Sequence, residues 1–127
     1  MTELDYIQPP PVLKQIVERT EELAFNMASE PRTGALLRTL AAAKPKGRLL
    51  ELGTGTGIGT AWLLAGMDGG SRLTSVDTDP SVQQVAREFL GQDPRLQFVL
   101  EDGLAFVRHQ TGRELRPRIC RRDAGQI

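Results

Sequence analysis

Residues Leu49 to Thr60 read LLELGTGTGIGT, an apolar run with an acid near its end and then glycine at alternate positions, Gly53, Gly55, Gly57 and Gly59. Arg48 to Leu52 has the composition of a short buried strand, and Ala61 to Leu64 continues in a helical pattern, so the glycines fall on a strand-to-helix turn. Such a turn needs glycine where the backbone takes positive φ, and where a ligand comes too close for a Cβ. In an open α/β sheet the ligand lies beyond the carboxyl ends of the strands, which is where this turn falls. A tight turn with packing glycines is the plainer alternative. Four alternate glycines after an apolar strand, with Glu51 inside the strand end, weigh against it.

Strand and helix patterns alternate beyond the loop. Leu73-Thr74-Ser75-Val76 reads as a strand that starts at Arg72 and ends at Asp77. Asp79-Pro80 then starts a helix, with aspartate as N-cap and proline at the first helical position, and Val82, Val85, Ala86, Phe89 and Leu90 form its buried stripe. A third strand, Leu96 to Leu100, leads through Glu101-Asp102-Gly103 into a short helix around Leu104 to Arg108. Upstream, Val12, Leu13, Ile16, Val17, Leu23, Ala24 and Met27 predict an amphipathic helix from Pro11 to near Ser29. Leu36, Leu37, Leu40 and Ala41 predict a second one, following Pro31-Arg32-Thr33-Gly34 and stopping before Pro45. Strands separated by helices of this length indicate βαβ units and a parallel sheet.

The chain has 127 residues, 39% hydrophobic and 25% charged, which suits one compact domain. Sixteen basic and sixteen acidic residues cancel, so no global field draws the chain to nucleic acid or to an anionic membrane. The expected partner is a small molecule. One cysteine, Cys120, excludes an internal disulfide and a multi-cysteine zinc site, and one histidine, His109, leaves little for a His-based metal cluster or a triad. Acids in MTELDYIQPPP, where a signal peptide carries basic residues, and the lack of a long apolar run predict a cytoplasmic chain.

The glycine spacing discriminates between ligands. The dinucleotide fingerprint is G-x-G-x-x-G, whereas here the third glycine comes at Gly57 and the sixth position is Ile58. No G-x-x-x-x-G-K-[ST] phosphate loop is present. Asp77 stands at the second strand's end, 24 residues beyond Gly53, where a carboxylate can accept bonds from both hydroxyls of a ribose. Helix capping is its alternative role, and Asp79 is better placed for that. At the third strand's end an acid of Glu101-Asp102-Gly103 can meet an adenine amino group, with glycine letting the ring lie flat; a polar loop capping a short helix is the competing reading. Trp62 is expected to be a packing residue, His109 a solvated cation at a helix end, and Cys120 has no partner for catalysis.

The G-x-G-x-G spacing after an acid resembles motif I of the class I S-adenosylmethionine-dependent methyltransferases. Pro31-Arg32-Thr33-Gly34-Ala35-Leu36-Leu37, LLELGTGTGIGTAWLL, LTSVDTDP and FVLEDG together resemble the small-molecule O-methyltransferases related to catechol and caffeoyl-CoA methyltransferases, over about residues 30 to 110. The resemblance implies a Rossmann-like, doubly wound parallel sheet in the α/β class, here incomplete, with three strands plus N-terminal helices. It implies S-adenosylmethionine as cofactor, with Glu51, Gly53, Thr54, Gly55 and Gly57 lining its methionine end, Asp77 and Thr78 its ribose, and Asp102 with Gly103 its adenine. The expected reaction is methyl transfer to a small nucleophile, an oxygen by preference, by in-line displacement at the sulfonium carbon. Approximation and exclusion of water then do most of the work. No residue is assigned as catalytic base. A nicotinamide dinucleotide-binding oxidoreductase module and a non-catalytic adenosyl-binding remnant are the alternatives.

The chain departs from that family at its end. Residues 108–127 hold six arginines and two acids, whereas 1–107 hold ten basic and fourteen acidic groups. In the family a fourth strand lies against the first and ends with an acidic motif, at the metal or acceptor site in metal-dependent members; here the sequence is GRELRPRICRRDAGQI. With third bases chosen freely, a one-base shift reads FDLVFADA over this stretch, which resembles that strand and suggests a frameshift. The chain thus divides into a cofactor-binding half-domain, 1–110, and an atypical Arg-rich tail, 111–127. A divalent metal belongs only to a full-length form. The first strand, left as an open edge, is expected to make the chain marginally stable or to pair it into a homodimer.

Overall fold

The computed structural model describes residues 7–23 and 31–114, with side chains to residue 110. Its elements are α1 (Leu13–Glu22), α2 (Pro31–Ala42), β1 (Arg48–Leu52), α3 (Ile58–Gly66), β2 (Arg72–Asp77), α4 (Pro80–Leu90), β3 (Leu96–Leu100) and α5 (Gly103–Glu114). The strands form one parallel sheet in the order β1-β2-β3, with Leu49 beside Leu73 and Leu73 beside Leu96. The alternation of strands and helices thus folds as its pattern predicts, and the α/β sheet is the Rossmann-like one expected.

Successive strand residues point to opposite faces. One face carries Leu49, Leu73, Leu96 and Phe98, which join Ile58, Trp62, Leu63 and Leu90 in the main core. The helices α3 and α4 supply those partners, and α1 rests on both. Ile16 of α1 is fully buried there. The other face carries Leu50, Thr74 and Gln97 at mid-strand, with Leu52, Val76 and Val99 beyond them. Here α5 contacts β2, so Val76 is buried while Leu50 stays partly exposed and Gln97 exposed. Among the described residues β1 pairs only with β2, leaving its other side as a sheet edge.

Helix boundaries differ from the sequence reading in three places. First, α1 ends at Glu22, not near Ser29: Leu23 leaves the helical region at φ −88°, ψ 1°, while its N–H makes the last bond of the ladder to the Arg19 carbonyl. Ala24, Met27 and Ser29 lie outside the described residues. Second, Pro31-Arg32-Thr33-Gly34 forms the first turn of α2 rather than a lead-in; proline suits that turn because its missing N–H is not needed. Gly34 is tolerated within the helix because the Trp62 ring occupies the space a Cβ would take. Third, α5 runs to Glu114, past Arg108, since a helix continues while its backbone ladder closes, whether or not apolar residues follow. Of the Arg-rich tail, 111–114 continue α5, and Cys120 lies outside the described residues.

No helix among the described residues is long and apolar enough to cross a membrane. Trp62 packs as expected, 1% exposed, with the Arg38 guanidinium 4.9 Å from its ring centre.

Candidate functional site

The turn from β1 to α3 is built by glycines that no other residue replaces without strain. Gly53, Gly55 and Gly57 have φ of 96°, 56° and 102°, all in the left-handed region. At Gly53 and Gly55 a Cβ would meet nothing within 4 Å, so open space lies above the loop. At Gly57 a Cβ would lie 2.8 Å from the Cβ of Ala86, so that glycine is also required by packing against α4. Gly59 lies inside the first turn of α3.

The second strand holds this loop. Gly53 and Thr54 donate their N–H groups to the Val76 carbonyl at 2.7 and 3.1 Å. Asp77 accepts the Gly55 N–H on Oδ2 at 2.8 Å and the Asp79 N–H on Oδ1 at 2.9 Å. Asp79 caps α4, accepting from Ser81 and Val82. Asp79 caps the helix, as expected, while Asp77 faces the loop. Thr78 is exposed between them.

Beneath the loop runs a line of buried polar side chains. Glu51 Oε1 accepts from the hydroxyls of Thr60 and Ser75, the latter at 2.7 Å. Burial pushes the Glu51 carboxyl above its ordinary range; the two hydroxyls pull it back, and the nearby Asp77 charge adds to the rise. Ser75 Oγ lies 2.7 Å from Thr54 Oγ1, and Gln83 Nε2 donates to Thr54 Oγ1 at 3.0 Å. On the opposite flank Thr20 of α1 bonds Thr56 of the loop at 2.7 Å. The Thr54 side chain is thus turned into the protein, 3% exposed, and only its backbone borders the open space.

The third strand end closes the rim. Glu101 donates its N–H to the Asp77 carbonyl at 3.0 Å, which joins the ends of β2 and β3. Asp102 Oδ2 accepts the Ala105 N–H at 2.9 Å, a capping bond to α5. At Gly103 a Cβ would make only ordinary contact with Leu52, at 3.5 Å. His109 is not at a helix end: α5 continues past it, and its Nδ1 pairs with Glu101 Oε2 at 2.9 Å. Among the described residues no group of three His, Cys, Asp or Glu side chains is placed to hold a metal ion.

Glu51, Gly53, Thr54, Gly55, Gly57, Asp77 and Thr78 thus gather at the carboxyl ends of β1 and β2, with Asp102 and Gly103 at the neighbouring end of β3. The sequence reading missed Ser75, Thr60, Gln83 and the Thr20–Thr56 pair. Only Gln83 carried a signal, a polar residue among the apolar positions Val82, Val85 and Ala86 of α4.

No family model matches the chain. A protein of Mycobacterium sp. (strain KMS) named "Putative O-methyltransferase" is 38% identical over 76 residues, 58% of this chain and 34% of that protein. The matched segment therefore spans about one third of the length of that relative. Among solved structures, the O-methyltransferase TomG from Streptomyces achromogenes, in complex with SAM, superposes with a TM-score of 0.72 at 20% identity, over 87% of this chain and 56% of that one. A methyltransferase from Geobacter sulfurreducens superposes with a TM-score of 0.68 at 25% identity, over 84% and 56% of the two chains. The described chain therefore has the Rossmann-like fold of these methyltransferases and is similar in sequence to part of an O-methyltransferase-named relative.

Proposed function

We propose that this chain is the coenzyme-binding part of an S-adenosylmethionine-dependent methyltransferase acting on an oxygen of a small-molecule acceptor. One observation carries the reading: three left-handed glycines, Gly53 and Gly55 of them under open space, held by an acid at the next strand end. The loop fits an adenosyl ligand in chemistry as well as shape. Gly53 and Gly55 leave room where any Cβ would intrude, and Asp77 keeps acceptor capacity for ribose hydroxyls after bonding two backbone N–H groups. In this reading Glu51 with the loop backbone borders the methionine end, Asp77 and Thr78 the ribose, and Asp102 with Gly103 the adenine. S-adenosylmethionine, when bound, supplies a methyl group already activated by its positive sulfur. The chain supplies position and shelter from water.

The likeness to O-methyltransferases supports the transfer to oxygen. Residues 1–110 form the coenzyme-binding half in this reading, and 111–127 the atypical tail. Resequencing the gene through the codons for Thr111 to Ile127 tests that division: a gained or lost base followed by an FDLVFADA-like frame supports it, and an unaltered frame removes the frameshift.

Calorimetry with S-adenosylhomocysteine and with NADH tests the function. Binding of the first alone is expected; binding of NADH alone overturns the reading. Turnover with a catechol as methyl acceptor then separates an enzyme from an adenosyl-binding remnant.

A further inference from the structure

Gln83 is fully buried, yet it lies on α4 under the glycine loop and belongs to none of the roles above. Its two ends face different chemistry. Oε1 accepts from Arg87 Nε at 3.3 Å and Nη2 at 3.0 Å. Nε2 faces Thr54 Oγ1 at 3.0 Å, the Val99 carbonyl at 3.1 Å and the Ser75 carbonyl at 3.4 Å. A guanidinium only donates and a carbonyl only accepts, so the amide has one allowed orientation.

That orientation sets the direction of every bond beyond it. Thr54 Oγ1 accepts from Gln83, which leaves its own proton for Ser75 Oγ, 2.7 Å away. Ser75 in turn donates to Glu51 Oε1. The donors therefore run one way, from Arg87 through Gln83, Thr54 and Ser75 to the Glu51 carboxylate. Arg87 is itself held over the Phe98 ring of β3, 4.9 Å from its centre. Gln83 is the point at which β2, β3 and α4 all meet the loop.

The loop needs such a tie. Three of its residues are glycines with no side chain to fix them, and Thr54 is the loop residue whose side chain bonds to β2 and α4. We propose that Gln83 is a positioning residue of the coenzyme site, which touches no ligand but holds the glycine loop in its binding shape through Thr54. This rests on the coenzyme reading above.

The test is a double-substitution cycle on the full chain, with S-adenosylhomocysteine affinity as one readout and amide exchange at Gly55 as the other. Gln83→Met keeps the length and removes the donor; Thr54→Val keeps the shape and removes the hydroxyl. Each is expected to weaken binding about tenfold, the worth of one buried hydrogen bond, and the double variant to be no weaker than the worse single. Thr54→Ser, which restores the hydroxyl, is expected to recover most of the loss. Gly55 exchange is expected to quicken in Gln83→Met while Val76 exchange in β2 stays unchanged. A folded Gln83→Met with unaltered affinity and unaltered Gly55 exchange overturns the proposal, as do effects that simply multiply. Should Gln83→Met not fold, Thr54→Val decides: unaltered affinity there overturns it. Failure of the unsubstituted chain to bind any adenosyl ligand sinks the coenzyme reading and this role with it, whereas unchanged affinity in a chain that binds sinks the role of Gln83 alone.

Discussion

The Asp77 carboxylate bonds the Gly55 N–H through one oxygen and the Asp79 N–H through the other, so one side chain at the end of β2 spans the glycine loop and the start of α4. In the proposed coenzyme reading a single substitution there acts on loop shape and on ribose binding together. Asp77→Ala is expected to weaken S-adenosylhomocysteine binding by about 1.5 to 3 kcal/mol, the range for hydrogen bonds to a charged group. Titration calorimetry reads the affinity. An unchanged value removes Asp77 from the site.

Glu51 links stability to pH. Because burial raises its carboxyl pKa, the folded chain holds this proton more tightly than the unfolded chain does. The stability it contributes is full below the ordinary glutamate value of 4.5 and is lost as pH rises through the raised pKa. Glu51→Gln keeps an oxygen for Thr60 and Ser75 and removes the titration. The variant is expected to gain melting temperature over the wild type as pH rises from below 4.5 towards neutral. A difference in melting temperature that stays flat with pH would show that Glu51 does not titrate in this way.

Two glycines of the loop are predicted to respond differently to alanine. Gly53→Ala meets open space and carries only the backbone cost of a positive φ, about 1 to 2 kcal/mol. Gly57→Ala adds a clash with Ala86 to the same backbone cost and is expected to lose about 1 to 3 kcal/mol more. Urea unfolding of both variants measures the gap. Equal losses would mean that α4 yields to the new methyl group.

The open side of the sheet predicts self-association. Leu52 and Leu104 are 52% and 58% exposed near the carboxyl end of β1, and among the described residues β1 has an unpaired edge beside Leu52. Sedimentation of the isolated chain is expected to show concentration-dependent dimers, reduced by Leu52→Lys. A monomer with a sharp, reversible thermal transition would contradict this.

Much of the arrangement was legible in the residues because it depends on local rules. The glycine spacing, Asp79-Pro80 and the three apolar runs each report on their own segment, and each forms the element its pattern specifies. What was hidden depends on contacts across the chain. Thr20 and Thr56 are 36 residues apart, and nothing in either segment indicates that they share a hydrogen bond. Gln83 and Thr54 are 29 apart, and the buried stripe of α4 shows only that a polar side chain enters the core, not which atoms satisfy it. Helix ends were misplaced for a related reason: Leu23 looks like one more apolar position in sequence, but its backbone closes the helix.

The restraints on the glycine loop come from β2, from Gln83 of α4, which also reaches β3, and from Thr20 of α1. Among the described residues none comes from the side of β1 away from β2. Among the described residues the loop is thus braced from one flank, so a segment laid along the β1 edge would add to these braces without having to replace any of them, as in a protein split at that seam.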